Sequence, residues 1–296
     1  MLHIYEIIDK LNSYGTPDLL NLLKCEQYLP ILEEFFEKYH LGRLWDHLPA
    51  VLFFYAIFAF ASGFGRFIST IVLKDKLRHL NQKERKKLRV SWAHHIVAFL
   101  NAVISSSMAI HYILKIKSSD HHFSVGTHTY YPEVARILSV AVGYFIWDVQ
   151  ICLKYYSIYG AAFALHGVMA LVALVISFQP YMMNLVSYYM LVEISTIFLH
   201  INWFLIKLGY KNTFIFTISH SLLLLSYFAI RVVVAPFFVY ETIKQTLDPL
   251  NNTATWAKLI YCGNVVLLAL LSQFWFWKMS YNTFFKDSNI KKAKTA

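Results

Sequence analysis

Charged residues are scarce in this sequence. Asp, Glu, Lys and Arg make up only 15% of its 296 residues, whereas 57% are hydrophobic and 17% are aromatic. So few charged residues cannot cover the surface of a soluble protein. The composition therefore excludes an ordinary soluble globule and indicates an integral membrane protein. The formal charge of +10 therefore predicts no nucleic-acid partner, since basic residues in membrane proteins mark topology.

Cysteine is also rare, and the three thiols, Cys25, Cys152 and Cys262, form neither a C-x-x-C pair nor a zinc-binding spacing. The histidines lack the H-x-x-x-H and H-x-x-H-H spacing of membrane di-iron oxidases. The sequence thus predicts no metal and no cofactor. One polar loop is predicted to be solvated rather than metal-binding; it contains Asp120, His121, His122 and His128.

Seven apolar segments are present, and a bilayer crossing needs about 20 such residues. They predict an all-α membrane protein, a bundle of about seven transmembrane helices within residues 48–277. An amphipathic N-terminal segment, 1–47, precedes the bundle and a basic tail, 278–296, follows it. The predicted spans are Leu48 to Leu73, Trp92 to Leu114, Val134 to Tyr156, Ala161 to Phe178, Tyr181 to Ile206, Thr213 to Ala235 and Trp256 to Trp277.

The basic residues predict an orientation for these spans. Lys74 to Arg89 holds eight basic and two acidic residues, which indicates a cytoplasmic loop, a lumenal N-terminus and a cytosolic C-terminus. Lys292 and Lys294 form a K-x-K-x-x ending that resembles dilysine retrieval signals. It predicts an endoplasmic reticulum membrane protein recognised by coat proteins. Asn251 begins a glycosylation acceptor pattern in a predicted lumenal loop.

Three ionisable residues lie on consecutive predicted spans, namely Asp148, His166 and Glu193. A carboxylate at the bilayer centre costs roughly 2.5–3.5 kcal/mol even on the lenient insertion scale, so such residues mark functional sites. Asp148 and His166 lie at similar depths, and a contact between them is expected. Glu193 lies nearer the midplane.

Helical spacing adds further polar residues to this group. The fifth span carries polar side chains on two faces, which predicts a central position in the bundle. Lipid-binding residues are predicted among His94, Asn101, Asp148, His166, Glu193, Thr196, His200, Asn202 and Arg231.

The polar segments resemble those of the TLC-domain family of multi-pass membrane proteins, which includes the ceramide synthases. The resemblance covers about Leu48 to Trp277 and implies a helical bundle around a lipid-accessible cavity. It is carried by Arg89-Val-Ser-Trp-Ala-His94, Gly143-Tyr-Phe-Ile-Trp-Asp148, Ala164-Leu-His166, Glu193-Ile-Ser-Thr-Ile-Phe198, Asn202-Trp203-Phe204 and Arg231. The match is closest to the plain "TLC domain-containing" branch.

Two positions depart from the synthase pattern, which has a His-His pair and an Asp-x-x-Asp motif. Here Gly167 follows His166, and Thr196 stands where the second Asp is expected. The family therefore implies a protein of membrane-lipid homeostasis that binds a sphingolipid or phospholipid, and whether it is an enzyme stays open.

The alternative is an acyl-CoA-dependent N-acyltransferase. His166 would be its general base, Asp148 or Glu193 would orient the imidazole, and the Lys74 to Arg89 loop would gather the CoA phosphates. A transporter or receptor is a second alternative, although no internal repeat or receptor motif is present. Homodimer formation stays open.

Overall fold

The structure is a computed structural model that describes residues 1–117, 128–249 and 251–286, and these residues form helices without any strand. Seven helical segments are long and apolar enough to cross a membrane, which confirms the all-α, seven-span prediction. They run Gly42–Val72, Gln82–Ile116, Pro132–Lys154, Tyr156–Ser177, Met183–Leu208, Phe214–Thr246 and Thr255–Phe285.

Several spans contain more than one helix. We number the α-helices α1 Leu2–Ser13, α2 Thr16–Leu22, α3 Leu29–Lys38, α4 Gly42–Val72, α5 Lys74–Arg78, α6 Gln82–Lys117, α7 Pro132–Lys154, α8 Tyr156–Ser177, α9 Met183–Met190, α10 Glu193–Leu208, α11 Phe214–Tyr227, α12 Ala235–Thr246 and α13 Thr255–Tyr281. The fifth span is α9 with α10. A π-helical segment, Phe228–Val234, joins α11 to α12 within the sixth span.

Helix α7, the third span, is the most enclosed. In its most apolar stretch 72% of the residues are buried, against 22% in that of the fifth span. The prediction that the fifth span lies at the centre is therefore wrong. Helix α10 packs between α6 and α11. Its polar residues meet His95 on α6 and Arg231 of the sixth span. Trp147 of α7, 1% exposed, is among the largest fully buried side chains.

A row of small residues lets α7 approach α4 closely. Ala135, Ser139 and Gly143 are spaced four residues apart and are buried, a pattern that allows membrane helices to pack backbone to backbone. A Cβ added to Gly143 would lie 2.7 Å from the carbonyl oxygen of Val51. The α4–α7 contact thus depends on glycine at this position.

Contacts between loops show which connections share an end of the bundle. The Lys76 ammonium donates to the carbonyl of Lys207, so the basic first loop lies beside the fifth. At the other end, the Gln179 amide donates to the carbonyl of Tyr39, which brings the N-terminal segment beside the α8–α9 turn. The alternation of spans agrees with the sequence analysis, while the orientation in the membrane stays a prediction.

The N-terminal helices are bonded to the bundle at this second end. The Arg136 guanidinium donates to both carboxylate oxygens of Asp9, at 2.7 and 2.8 Å. Thr16 is the first residue of α2, and its hydroxyl donates to the Trp45 carbonyl. The first turn of α2 is thereby anchored to α4.

Candidate functional site

Arg231 is buried inside the bundle and holds an interruption of the fifth span together. The regular helix stops at residues 191 and 192, between α9 and α10. Arg231 donates from Nη2 to the Val192 carbonyl at 3.0 Å and to Thr196 Oγ1 at 2.8 Å, and from Nε to Ser195 Oγ at 2.8 Å. Since lipid offers no partners for such groups, this side chain satisfies the interrupted backbone.

The sixth span is also irregular at Arg231 itself. The π-helical segment Phe228–Val234 changes the backbone hydrogen bonding there, and π-bulges often occur at functional sites. The Gln273 amide on α13 donates to the Arg231 carbonyl at 3.0 Å. The two interrupted spans therefore meet at one arginine.

Beside Arg231 lies a partly open cavity of about 120 Å³. Side chains from α7, α8, both halves of the fifth span, the sixth span and α13 line it, and most are apolar. On α8 the lining runs from His166 to Ser177, which is roughly 16 Å at 1.5 Å per residue. The ionisable groups of the lining are Glu193, Arg231, His166 and two tyrosines, Tyr189 and Tyr261.

His166 reaches this cavity but makes no hydrogen bond within the described residues. Its Nδ1 atom is buried without a partner, and its ring packs against Phe145 and Trp275. The expected contact with Asp148 is not formed. The reason is geometric: the next residue, Gly167, is the one that faces Asp148.

Asp148 contacts His94 instead. The His94 Nε2 atom lies 3.1 Å from Asp148 Oδ1, and Cys152, one turn further along α7, places Sγ 4.0 Å from Oδ2. A Cβ at Gly167 would lie 2.9 Å from the same Oδ2. The second histidine of a synthase-type pair would therefore collide with the Asp148 carboxylate, which gives a physical reason for glycine here.

The other predicted residues lie outside the cavity lining. The Ser105 hydroxyl donates to Asn101 within α6 at 3.1 Å. His200 Nδ1 lies 2.7 Å from His95 Nδ1, and the amide atoms of Asn202 are buried without partners among the described residues. Of the nine predicted lipid-binding residues, three line the cavity: His166, Glu193 and Arg231.

Sequence reasoning did not select Tyr189, Tyr261, His95 or Cys152. The two tyrosines gave no signal, because tyrosine is frequent throughout this chain. Two features of the sequence could have identified the other two residues. His95 adjoins His94, and Cys152 follows Asp148 by four residues and so lies on the same helical face.

Two predicted loop features have different outcomes. Asp120, His121 and His122 lie outside the described residues, as do Lys292 and Lys294, whereas His128 contacts Asn251 Oδ1 at 3.1 Å. Asn251 is 6% exposed, and its side-chain amide nitrogen donates to the Gln245 carbonyl. The folded chain thus buries the nitrogen that glycosylation would modify.

This arrangement defines a multi-pass helical membrane protein with a partly open, largely apolar cavity among its third to seventh spans. Residues 91–281 match the family model described as the TLC domain. The chain belongs to the TLC-domain family. The match begins within α6 and covers the second to seventh spans, including every ionisable cavity residue.

Similar proteins agree with this assignment. An uncharacterized TLC domain-containing protein of Schizosaccharomyces pombe is 26% identical over 252 residues, which cover 84% of this chain and 82% of that protein. Topoisomerase I damage affected protein 4 of Saccharomyces cerevisiae is 24% identical and covers 79% of this chain and 83% of its own length. TLC domain-containing protein 4 A of Dictyostelium discoideum is 22% identical over 63% of this chain and 72% of its own.

Proposed function

We propose that this protein binds a membrane lipid in the cavity beside Arg231 and acts in membrane-lipid homeostasis. The observation that carries the proposal is the cavity itself, which has apolar walls and a few convergent polar groups, as small-molecule sites do. A sphingolipid or phospholipid chain would lie along the apolar face of α8. The polar part of the lipid would face Glu193, Arg231 and His166.

Charge balance restricts the polar part of this lipid. Arg231 and Glu193 line the same cavity, where an ionised Glu193 would balance the arginine cation, and an unpaired charge buried in this setting is costly. The three Arg231 bonds to the fifth span use Nε and Nη2, and Tyr227 also lies against the guanidinium. A neutral or zwitterionic group that both accepts and donates hydrogen bonds fits best.

The cavity volume limits how much of the lipid is enclosed. At about 120 Å³, it is slightly smaller than an engineered apolar cavity of about 150 Å³ that binds benzene. Only part of a lipid fits inside. The remainder would extend between the helices into the bilayer.

An acyl-CoA-dependent acyltransferase is the second candidate, because an imidazole, that of His166, lines the cavity. However, His166 forms no hydrogen bond to Glu193 or Asp148 within the described residues, so the orienting carboxylate of such a mechanism is missing. The geometry therefore favours binding over transfer. Acyl transfer by purified protein that is lost in His166→Ala would reverse this preference.

A cavity-filling substitution tests lipid binding. Ala269 lines the cavity on α13. Ala269→Phe is expected to lower the amount of co-purifying lipid about tenfold, because a site of this size cannot hold both the phenylalanine ring and the lipid. Mass spectrometry of detergent-purified protein measures this amount. The matched control is Leu270→Phe, at a residue that is 59% exposed. Equal lipid content in both variants and wild type would contradict the proposal.

We also propose that the protein resides in the endoplasmic reticulum, with the Lys74 to Arg89 loop in the cytosol. The K-x-K-x-x ending supports this location, because it resembles a retrieval signal. Lys292→Ser with Lys294→Ser is expected to move the protein to later secretory membranes, as fractionation would show. The control is Lys278→Ser with Lys286→Ser, which removes the same amount of charge outside the signal. Unchanged residence of the Lys292 and Lys294 double variant would remove the signal from the proposal.

A further inference from the structure

A second polar centre lies outside the cavity lining, beside Gly167 of α8. It consists of His94 on α6 with Asp148 and Cys152 on α7, which we call the His-Asp-Cys cluster. One potential metal-ligand atom from each residue lies within 4.8 Å of the other two. Asp148 is 5% exposed and Cys152 is 1% exposed, so the cluster is enclosed by the bundle.

The carboxylate in this cluster has fewer partners than a buried anion requires. An ionised carboxylate offers about four acceptor sites. Within the described residues, Oδ1 has His94 at 3.1 Å, and Oδ2 has only the Cys152 thiol, a weak donor, at 4.0 Å. The adjoining residue of α8 is Gly167, which contributes no side chain. Oδ2 and Sγ thus lie side by side, and both lack a strong partner.

We propose that the His-Asp-Cys cluster binds a divalent transition-metal ion of the zinc type. Zinc bonds of about 2.0–2.3 Å in a tetrahedron place neighbouring ligand atoms roughly 3.3–3.7 Å apart. The observed separations, 3.1 Å for nitrogen to oxygen and 4.0 Å for sulfur to oxygen, lie on either side of that range. The three donor atoms lie within 4.8 Å of one another, so side-chain rotations that shorten the widest separation by up to about 1 Å would complete the site.

The chemistry of the donors selects this class of ion. Thiolate and imidazole favour zinc-like ions, whereas magnesium and calcium prefer oxygen ligands. Binding releases the thiol proton and forms the metal–sulfur bond without any redox change. Two anionic ligands and a neutral imidazole then balance the double charge, which suits a site within the bilayer. Three protein ligands leave a fourth position open.

Metal analysis tests the proposal independently of lipid binding. Tag-free protein purified in detergent is expected to contain, or to take up from micromolar Zn²⁺, about one ion per chain. Co²⁺ at the same site is expected to give a thiolate-to-metal absorption band. Cys152→Ser is expected to abolish that band and the stoichiometric binding. Cys262→Ser, a half-buried cysteine on α13, is the matched control and is expected to retain both.

Two results would overturn the metal site. The first is wild-type protein that contains no metal and takes none up, since His94 and Asp148 are then a plain ion pair. The second is a Co²⁺ thiolate band that survives Cys152→Ser. If that variant does not fold, wild-type protein decides the matter: a chelator is expected to remove the Co²⁺ band and lower the melting temperature, and an unchanged melting temperature counts against the site.

Discussion

Gly143→Ala is expected to lower the melting temperature of the detergent-purified protein sharply. The new Cβ would meet the Val51 carbonyl oxygen at 2.7 Å, the Phe54 Cβ at 2.9 Å and the Tyr55 amide nitrogen at 3.0 Å. Two of these atoms belong to the backbone of α4, so the clash can be relieved only by separating α4 from α7. Overpacking a core typically costs about 1–3 kcal/mol of folding free energy. The cost of Gly143→Ala is expected at the upper end of this range, because the new Cβ meets backbone atoms.

The matched control is Gly63→Ala, on the partner helix α4. A Cβ at Gly63 meets nothing within 4 Å, and alanine is favoured over glycine inside a helix by about 1 kcal/mol. The two glycines should thus respond with opposite signs. Equal melting temperatures for Gly143→Ala and wild type would show that the α4–α7 contact does not depend on glycine.

Arg231→Met is expected to produce the second large effect. The substitution leaves the Val192 carbonyl and the hydroxyls of Ser195 and Thr196 without their donor. It also leaves Glu193 without the opposite charge in the cavity. Leaving a buried polar group without its hydrogen-bond partner costs about 1–3 kcal/mol for each group. Thermal unfolding in detergent measures the loss, and mass spectrometry of co-purified lipid measures occupancy.

Two comparisons separate the contributions of Arg231. Lys278→Met removes a cation at the exposed end of α13 and is expected to leave the melting temperature unchanged. Adding Glu193→Gln to Arg231→Met is expected to recover part of the lost stability, because the double variant buries no unpaired carboxylate. A double variant whose loss equals the sum of the single losses would show that the two charges act independently.

The spans and their alternation could be read from the sequence because they depend on local composition. A run of apolar residues needs no particular neighbour to prefer the bilayer, and Gly160, with φ of +75°, interrupts α8 just before the predicted start of its span at Ala161. The family followed from short polar motifs in order. Of the nine residues proposed from the sequence to bind lipid, three line the cavity in the structure, and they could be proposed because an ionisable residue stands out in an apolar span.

The partners of those residues could not be read from the chain. Asp148 was assigned to His166 by depth alone, yet the rotation of α8 turns Gly167 toward the carboxylate and leaves that space to His94 of α6. The cysteine spacing likewise predicted no metal site, because His94 and Cys152 are 58 positions apart in the numbering and only the packing of α6 on α7 brings them together.

The sequence by itself determined that this is a seven-span helical membrane protein of the TLC-domain type, because hydrophobic length and motif order are properties of the chain. Only the tertiary structure decided that α7 is the enclosed helix, that Arg231 joins two interrupted spans, and that a cavity lies beside it. These features depend on the rotation of each helix about its axis. That rotation is fixed by close contacts such as Gly143 against Val51, which no local pattern encodes.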